Sequence, residues 1–312
     1  MIATSEYELV TEAVGAVDRS DRAKFLVRGS EAADFLQGQV SNDVEALQPG
    51  EGCYATILNV KGKLRTDLRV LRGKDLGADP ADPGASAGSW FFLDTEAIGH
   101  GVLRHMLETY SLGRDVQHED LTTTRALVSL LGPGARAALE VEPPEEEHSF
   151  VQGEHGLYVS TDLGVDVIGE PGLDLGVPVV SQDVAECVRI ENGRPRLGYD
   201  MDAETMPQEA GINERAVSFS KGCYVGQETV ARLHYKGRPN RHLRGLRLPE
   251  PVERGTDILL GDKVVGRVAS TCVSPRFGPI ALALVRREAE PGASVSVNGA
   301  TAELVGLPFT RG

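Results

Sequence analysis

The sequence predicts an α+β protein that ends in a small all-β barrel. Up to about residue 240, runs of period-2 alternation that read as strands are interleaved with amphipathic stretches of helical period. From residue 241 onward only short strand-like runs occur, parted by Pro, Gly and Asp turns. A chain of 312 residues is also long enough for two hydrophobic cores. The expected division is 1–240, built of discontinuous subdomains with a linker near 140–150, followed by a barrel over 241–312.

The elements follow in order. Residues 24–28 read as a short strand, and Ser30 is placed to cap a helix over 31–38 whose apolar contacts are Ala33, Phe35 and Leu36. Residues 53–60 and 63–71 form a hairpin turned at Lys61-Gly62. In its second strand Leu64, Thr66, Leu68 and Val70 share one face, and Lys63, Arg65, Asp67 and Arg69 share the other. That polar face either lines a cavity or meets water. Residues 76–89 are too poor in apolar side chains to pack and read as a flexible tip.

A strand at Trp90–Leu93 and an amphipathic helix over 96–110 come next; His100 and His105 are five apart, the wrong spacing for one helical face. The strand 125–131 runs into Gly132-x-Gly134-x-x-Ala137, which invites a dinucleotide reading. No acid-tipped strand follows about 20 residues on, so that reading is rejected, and Pro133 is taken as a first-turn helix residue. Glu140 to His148 is an acidic, proline-broken linker, 157–168 a strand, and Ser181 the cap of a helix near 182–189. The barrel strands are expected at 241–248, 256–260, 263–273, 279–286, 293–297 and 300–306.

Composition narrows the functions. The 41% hydrophobic and 25% charged fractions are those of an ordinary globular chain, and the net charge of −14 disfavours nucleic acid and anionic membranes as partners. Arg outnumbers Lys 25 to 7, so a local cationic site has bidentate donors for carboxylate or phosphate. The four cysteines, Cys53, Cys187, Cys223 and Cys272, are widely spaced, which is neither a disulfide framework nor a zinc pattern. The N-terminal stretch lacks the basic-then-apolar order of a leader and no apolar run nears about 18 residues, so a cytoplasmic protein with reduced thiols is expected.

The least ordinary stretch is Lys221-Gly222-Cys223-Tyr224-Val225-Gly226-Gln227-Glu228. Two glycines allow a tight bend around a thiol, and nearby cations raise the thiolate fraction. Lys221, Arg232, Lys236, Arg238, Arg241, Arg244 and Arg247 stand against Glu228 alone within 221–247. Cys223 is the candidate reactive residue.

This stretch resembles the Lys-Gly-Cys-Tyr-x-Gly-Gln-Glu motif of the YgfZ-type folate-binding proteins, relatives of the glycine-cleavage T-protein that assist iron–sulfur enzymes. Phe35-Leu-Gln-Gly-Gln-Val-x-Asn-Asp-Val44 is similar to the opening of that superfamily, and Arg189-x-Glu191-x-Gly193-x-Pro195, Gly198-x-Asp200 and Pro207-x-Glu209-Ala210 to its folate-side segment. The resemblance implies folate-binding subdomains around a central cavity, the same C-terminal barrel, tetrahydrofolate as ligand, and iron–sulfur enzymes or cluster-assembly proteins as partners. It implies motif roles for Lys221, Gly222, Gly226, Gln227, Glu228 and Arg232. Where the T-protein hairpin carries two adjacent acids, Thr66 and Asp67 stand here, and the lost acid counts against aminomethyl transfer.

Folate offers a donor edge on its pterin, which a carboxylate grips bidentately, and tail carboxylates, which want Arg or Lys; each charge-assisted bond contributes about 1.5–3 kcal/mol. Asp67, Glu191 and Glu209 are the candidate carboxylates, Arg189 a candidate for the tail, and Tyr199 and Tyr224 candidates to stack on the ring. One exposed cysteine with three scattered ones is too few for a self-contained iron–sulfur cluster, so no resident metal is expected. A cysteine nucleophile paired with His234 or His242 and a polyanion site on the cationic stretch are the remaining readings.

Overall fold

The computed structural model describes residues 2–74 and 89–310. Residues 76–88 of the expected tip therefore lie outside the described residues. Helix α1 (Thr4–Glu12) leads into strand β1 (Gly15–Asp18), β2 (Ala23–Arg28) and helix α2 (Ala32–Gln39). Strands β3 (Glu51–Leu58), β4 (Leu64–Lys74) and β5 (Ser89–Thr95) follow, then a 3₁₀ turn at Ala97–Gly99, helix α3 (His100–Tyr110) and β6 (Gln117–Asp120). β3, β4, β5, β2 and β6 form, in that order, one antiparallel sheet.

The two faces of β4 decide what this sheet does. Leu64, Thr66, Leu68 and Val70 are buried on one side, where the leucines and valine join Phe25, Phe35, Leu36, Leu103 and Met106 or the neighbouring core. Asp67 and Arg69 point to the other side, into a cavity. Of the two outcomes open for the polar face, the cavity is the one realised for these two residues.

A second antiparallel sheet has the order β1, β7 (Ala126–Leu131), β10 (Gly164–Gly169), β9 (Gly156–Thr161) and β8 (Phe150–Gly153). Residues 157–168 are thus a hairpin and not a single strand, turned before Gly164, whose φ of +154° and whose approach to Leu130 O leave no space for a Cβ. The two sheets join through a shared apolar layer that includes Leu71, Phe92, Leu127, Phe150 and Ile168. Residues 133–139 form turns and not a helix.

Helix α4 (Gln182–Glu191) packs on β1 and on the barrel, and the short helix α5 (Asn213–Ala216) packs on β3. Neither serine expected to cap does so with its side chain: Ser30 Oγ donates to Asp115 and Ser181 Oγ to Glu6, both 2.6 Å. Helix α6 (Gln227–Lys236) precedes six barrel strands, β11 (Arg241–Arg247), β12 (Asp257–Leu260), β13 (Lys263–Ser274), β14 (Gly278–Arg286), β15 (Ser294–Val297) and β16 (Ala300–Val305). They close in the order β11-β14-β13-β12-β15-β16 around Leu246, Ile258, Val268, Ala283, Val295 and Leu304.

α6 starts at Gly226, which has φ +85° and whose added Cβ would come 2.5 Å from Asn59 O in the β3–β4 turn. Gly222 has open space around it and no positive φ. Gly226→Ala is expected to cost at least about 1–2 kcal/mol, from the left-handed backbone alone, in chemical denaturation. Gly222→Ala should stay within about 0.5 kcal/mol of wild type; equal effects would show that the two glycines are not distinguished by backbone geometry.

Candidate functional site

A cavity of about 210 Å³ lies where the two sheets face each other. The first sheet contributes Tyr54, Asp67, Arg69 and Asp94, and the second Ser129, Thr161 and Asp166. Arg189 of α4, Arg196, Arg215 of α5, and Glu147-His148 from the acidic linker complete the wall.

Charge pairing builds it. Asp94 is wholly buried between Arg22, whose Nε is 2.8 Å away, and Arg69, whose Nε is 2.7 Å away. Burial pushes its carboxyl up, but the two guanidinium groups outweigh burial and hold it at about 2. Arg69 Nη1 reaches across to Asp166 of the second sheet at 2.8 Å, and Asp166 accepts Ser129 Oγ at 2.6 Å. Glu96 accepts Arg19 at 2.9 Å, Arg196 at 2.7 Å and Arg22. Arg189 Nη1 donates to Asp200 at 2.8 Å and Nη2 to Ser270 of the barrel at 2.7 Å.

Once these pairs are made, several buried polar atoms on the wall have no hydrogen-bond partner among the described residues: Asp67 Oδ1, Arg69 Nη2, Arg215 Nε and both ring nitrogens of His148, whose Nε2 lies 3.6 Å from Glu147 Oε1, beyond hydrogen-bond reach. Buried groups of this kind are rarely left unsatisfied. Asp67 Oδ2 accepts Tyr54 OH at 2.6 Å, and burial raises the Asp67 carboxyl above the usual range. His148 has φ +69°, and burial, then Arg69 and Arg215, push its imidazole down to about 3, so it is neutral. The wall thus presents a carboxylate oxygen, two guanidinium donors and an uncharged imidazole to whatever enters.

The residues singled out from sequence do not converge on one point. Asp67 and Arg189 line the central cavity. Glu191 does not: its carboxylate, on the far side of α4, accepts Tyr7 OH at 2.9 Å and Ser274 Oγ. Glu209 is bonded to Arg241 Nη2 at 2.9 Å and, with Tyr199, lines a separate cleft against the barrel. Tyr199 is held between Arg196 and Arg254, whose guanidinium carbons lie 4.8 and 4.7 Å from its ring centre. Tyr224 is buried in a core with Leu58, Leu64 and Val230.

The glycine-framed loop is pinned at both ends with Cys223 exposed between them. Lys221 is buried, and its ammonium donates to Gln37 O at 2.6 Å and to Val40 O and Asn42 O at 2.8 Å. Burial lowers it to about 8. Its task is therefore to hold the loop on the end of α2; it is not a free cation beside the thiol. Gln227 Nε2 closes the loop on Gly222 O at 3.3 Å, while Glu228 and Arg232 face solvent. Cys223 is not among the residues lining the central cavity, and the His234 ring is stacked on Phe219, centroids 3.8 Å apart. The cationic stretch is dispersed as well, with Lys221 buried, Arg241 paired and Arg232, Lys236 and Arg238 exposed.

Sequence reasoning gave no ligand role to Arg22, Arg69, Asp94, His148 or Arg215, all of which line the wall. Only Arg69 carried a signal, two positions from Asp67 on one strand face. The others meet through topology.

Together these features define the architecture of the chain: a charged cavity between two antiparallel sheets, buttressed by a helix that also carries a closed barrel. Residues 1–150 match the GCVT N-terminal domain and residues 241–310 the glycine cleavage T-protein C-terminal barrel domain. An aminomethyltransferase of Rippkaea orientalis is 30% identical over 90% of this chain and 81% of its own length. One of Thermotoga maritima is 28% identical over 98% of this chain and 89% of its own. The crystal structure of glycine cleavage system aminomethyltransferase T from Bartonella henselae shares the fold with a TM-score of 0.84 at 22% identity, covering 98% of this chain and 89% of that one. The chain belongs to the glycine cleavage T-protein family.

His148 gives the cavity a measurable pH signature. Its folded-state value of about 3 lies below the ordinary 6.5, so the unfolded chain binds the proton first and stability falls as pH drops below 6.5. At pH 5 this group alone should remove about 2 kcal/mol relative to pH 7.5. His148→Gln should show a correspondingly smaller loss between those pH values in urea unfolding; an identical loss in both proteins would contradict the neutral buried imidazole.

Proposed function

We propose that the protein binds tetrahydrofolate in the central cavity and uses it in aminomethyl transfer, with Asp67 as the carboxylate beside the ring. The observation that carries this reading is the convergence of unpartnered buried atoms at Asp67, Arg69, His148 and Arg215. A flat pterin with adjacent donors and acceptors along its edge is complementary to such a set. Bound there, tetrahydrofolate would supply the nitrogen nucleophiles that take up a one-carbon unit. Asp67, raised by burial and held by Tyr54, can accept or return a proton at its free oxygen. Asp94 and Asp166 fix Arg69, and His148 supplies a neutral acceptor.

Thr66 takes little from this reading. Side chains 66 and 67 point to opposite faces of β4. Thr66 is buried on the face away from the cavity and shares a hydrogen bond with Thr95 Oγ1 at 2.9 Å. An acid at 66 would not face the ligand, so the single carboxylate at Asp67 is what the geometry asks for. The relatives named aminomethyltransferase support the same chemistry.

A second reading is favoured by Cys223, a thiol held out to solvent on a loop fastened at Lys221 and Gln227. In it the protein is a tetrahydrofolate-binding, YgfZ-type accessory of iron–sulfur enzymes, and Cys223 meets a partner as a shared ligand or redox thiol.

Two measurements separate the readings. Folate-dependent ammonia release from a lipoyl-bound aminomethyl group should be present in the wild type and fall about 10²- to 10⁴-fold in Asp67→Asn; no release at saturating tetrahydrofolate removes aminomethyl transfer. Cys223→Ser should fold and bind folate like the wild type. Under the second reading it also loses the ability to sustain iron–sulfur enzyme activity in cells lacking the native protein, and full activity in those cells ends that reading.

A further inference from the structure

Two of the four cysteines meet where their spacing gave no hint of it. Cys187 lies on the buried face of α4 and Cys272 on barrel strand β13, 85 positions later, and the Cys272 thiol donates to Cys187 Sγ at 3.1 Å. Cys187 is fully buried and Cys272 is partly exposed. On its other side the Cys187 thiol donates to Oε1 of Glu191, one turn along the same helix, at 3.6 Å. Glu191 also accepts the hydroxyls of Tyr7 and Ser274 and touches no residue of the central site through its carboxylate.

We propose that Cys187 and Cys272 are a peroxide-sensitive thiol pair that closes to a disulfide, with Glu191 as the proton acceptor, and thereby fastens the barrel to α4. The inference is independent of the folate reading. A disulfide needs its sulfurs about 2.05 Å apart, so from 3.1 Å they must approach by about 1 Å. Cys272, the accessible member, attacks the peroxide oxygen; the O–O bond breaks, Cys272 becomes a sulfenic acid and water leaves. The hydrogen bond with Cys272, then burial, pushes the Cys187 thiol well above the ordinary range, so it remains protonated until it reacts. Glu191 takes that proton as Cys187 sulfur attacks the sulfenic sulfur. The S–O bond breaks and the departing hydroxide recovers the proton from Glu191 as a second water. In sum, two thiols lose two electrons and one hydrogen peroxide becomes two waters.

The bond would act on more than the two sulfurs. α4 also carries Arg189, which bonds to Ser270 of β13 and lines the central cavity. Ile190 packs with Leu243, Ile280 and Phe309 of the barrel side. A disulfide at 187–272 would cross-link a contact these residues already make and fix the cavity wall relative to the barrel.

The test is hydrogen peroxide treatment of the full-length protein, alkylation under denaturing conditions and peptide mass analysis. The expected product is one intramolecular Cys187–Cys272 disulfide, with Cys223→Ser giving the same product. Cys187→Ser should instead accumulate a dimedone-reactive sulfenic acid at Cys272, and Glu191→Gln should form the disulfide at least tenfold more slowly while keeping its thermal midpoint within a few degrees. Oxidation confined to Cys223, with Cys187 and Cys272 still alkylated, would overturn the proposal. A Glu191→Gln protein that closes the bond at the wild-type rate would overturn the role of Glu191.

Discussion

The structure depends on one electrostatic constraint: a carboxylate buried at the centre of the first sheet must be neutralised by the side chains around it. Asp94 meets this with Arg22 and Arg69, and each arginine then needs a further partner. Arg69 finds Asp166 on the second sheet and Arg22 finds Glu96. Glu96 gathers Arg196, which shares Glu186 with Arg189, and Arg189 ends on Asp200 and barrel Ser270. A chain of ion pairs thus runs from one sheet to the other, and hydrogen bonds to Ser270 extend it to the barrel. Buried pairs of this kind add little net stability, but removing one partner leaves an uncompensated charge and is costly. Their effect here is to fix the geometry of the wall.

What the network leaves over is what can bind. Asp67 Oδ1, Arg69 Nη2, Arg215 Nε and His148 lie beside saturated pairs and remain unpartnered among the described residues. A polar heterocycle that met them would replace an unsatisfied surface with a satisfied one, which is a strong source of specificity. The cysteine loop obeys a different logic. There the buried charge, Lys221, is spent on three carbonyls that close α2, and the group it helps to position is the exposed thiol next to it. The fold therefore offers a cavity for a small molecule and a separately anchored thiol at the surface.

Much of this was legible in the sequence where the signal is local. The barrel strands appear within a residue or two of their expected ends because Pro, Gly and Asp turns punctuate them, and β4 announced its two faces through strict alternation. Signals that depend on a neighbour far along the chain were not legible. Ser30 and Ser181 are cap residues by type, yet Asp115 and Glu6 claim their hydroxyls. Residues 157–168 read as one strand because the turn before Gly164 contains the apolar Leu163. α1, β1, β6, β8, α5 and α6 went unread, α6 because it is mostly polar, with Val230 its one buried side chain. The candidate carboxylates Glu191 and Glu209 sit where the motif puts them, but α4 and the loop after it turn them toward Tyr7 and Arg241. His148, in a segment that read as a plain acidic linker, arrives at the cavity only because the chain crosses it there with a left-handed residue.

The most direct measurement is a crystal structure of the protein soaked with tetrahydrofolate. The account predicts the pterin in the central cavity, its ring edge within hydrogen-bond distance of Asp67 Oδ1 and of Arg69, Arg215 or His148, with Cys223 untouched at the surface. A pterin seated instead in the cleft beside Tyr199 and Glu209, or a central cavity still holding only water at saturating ligand, would contradict it.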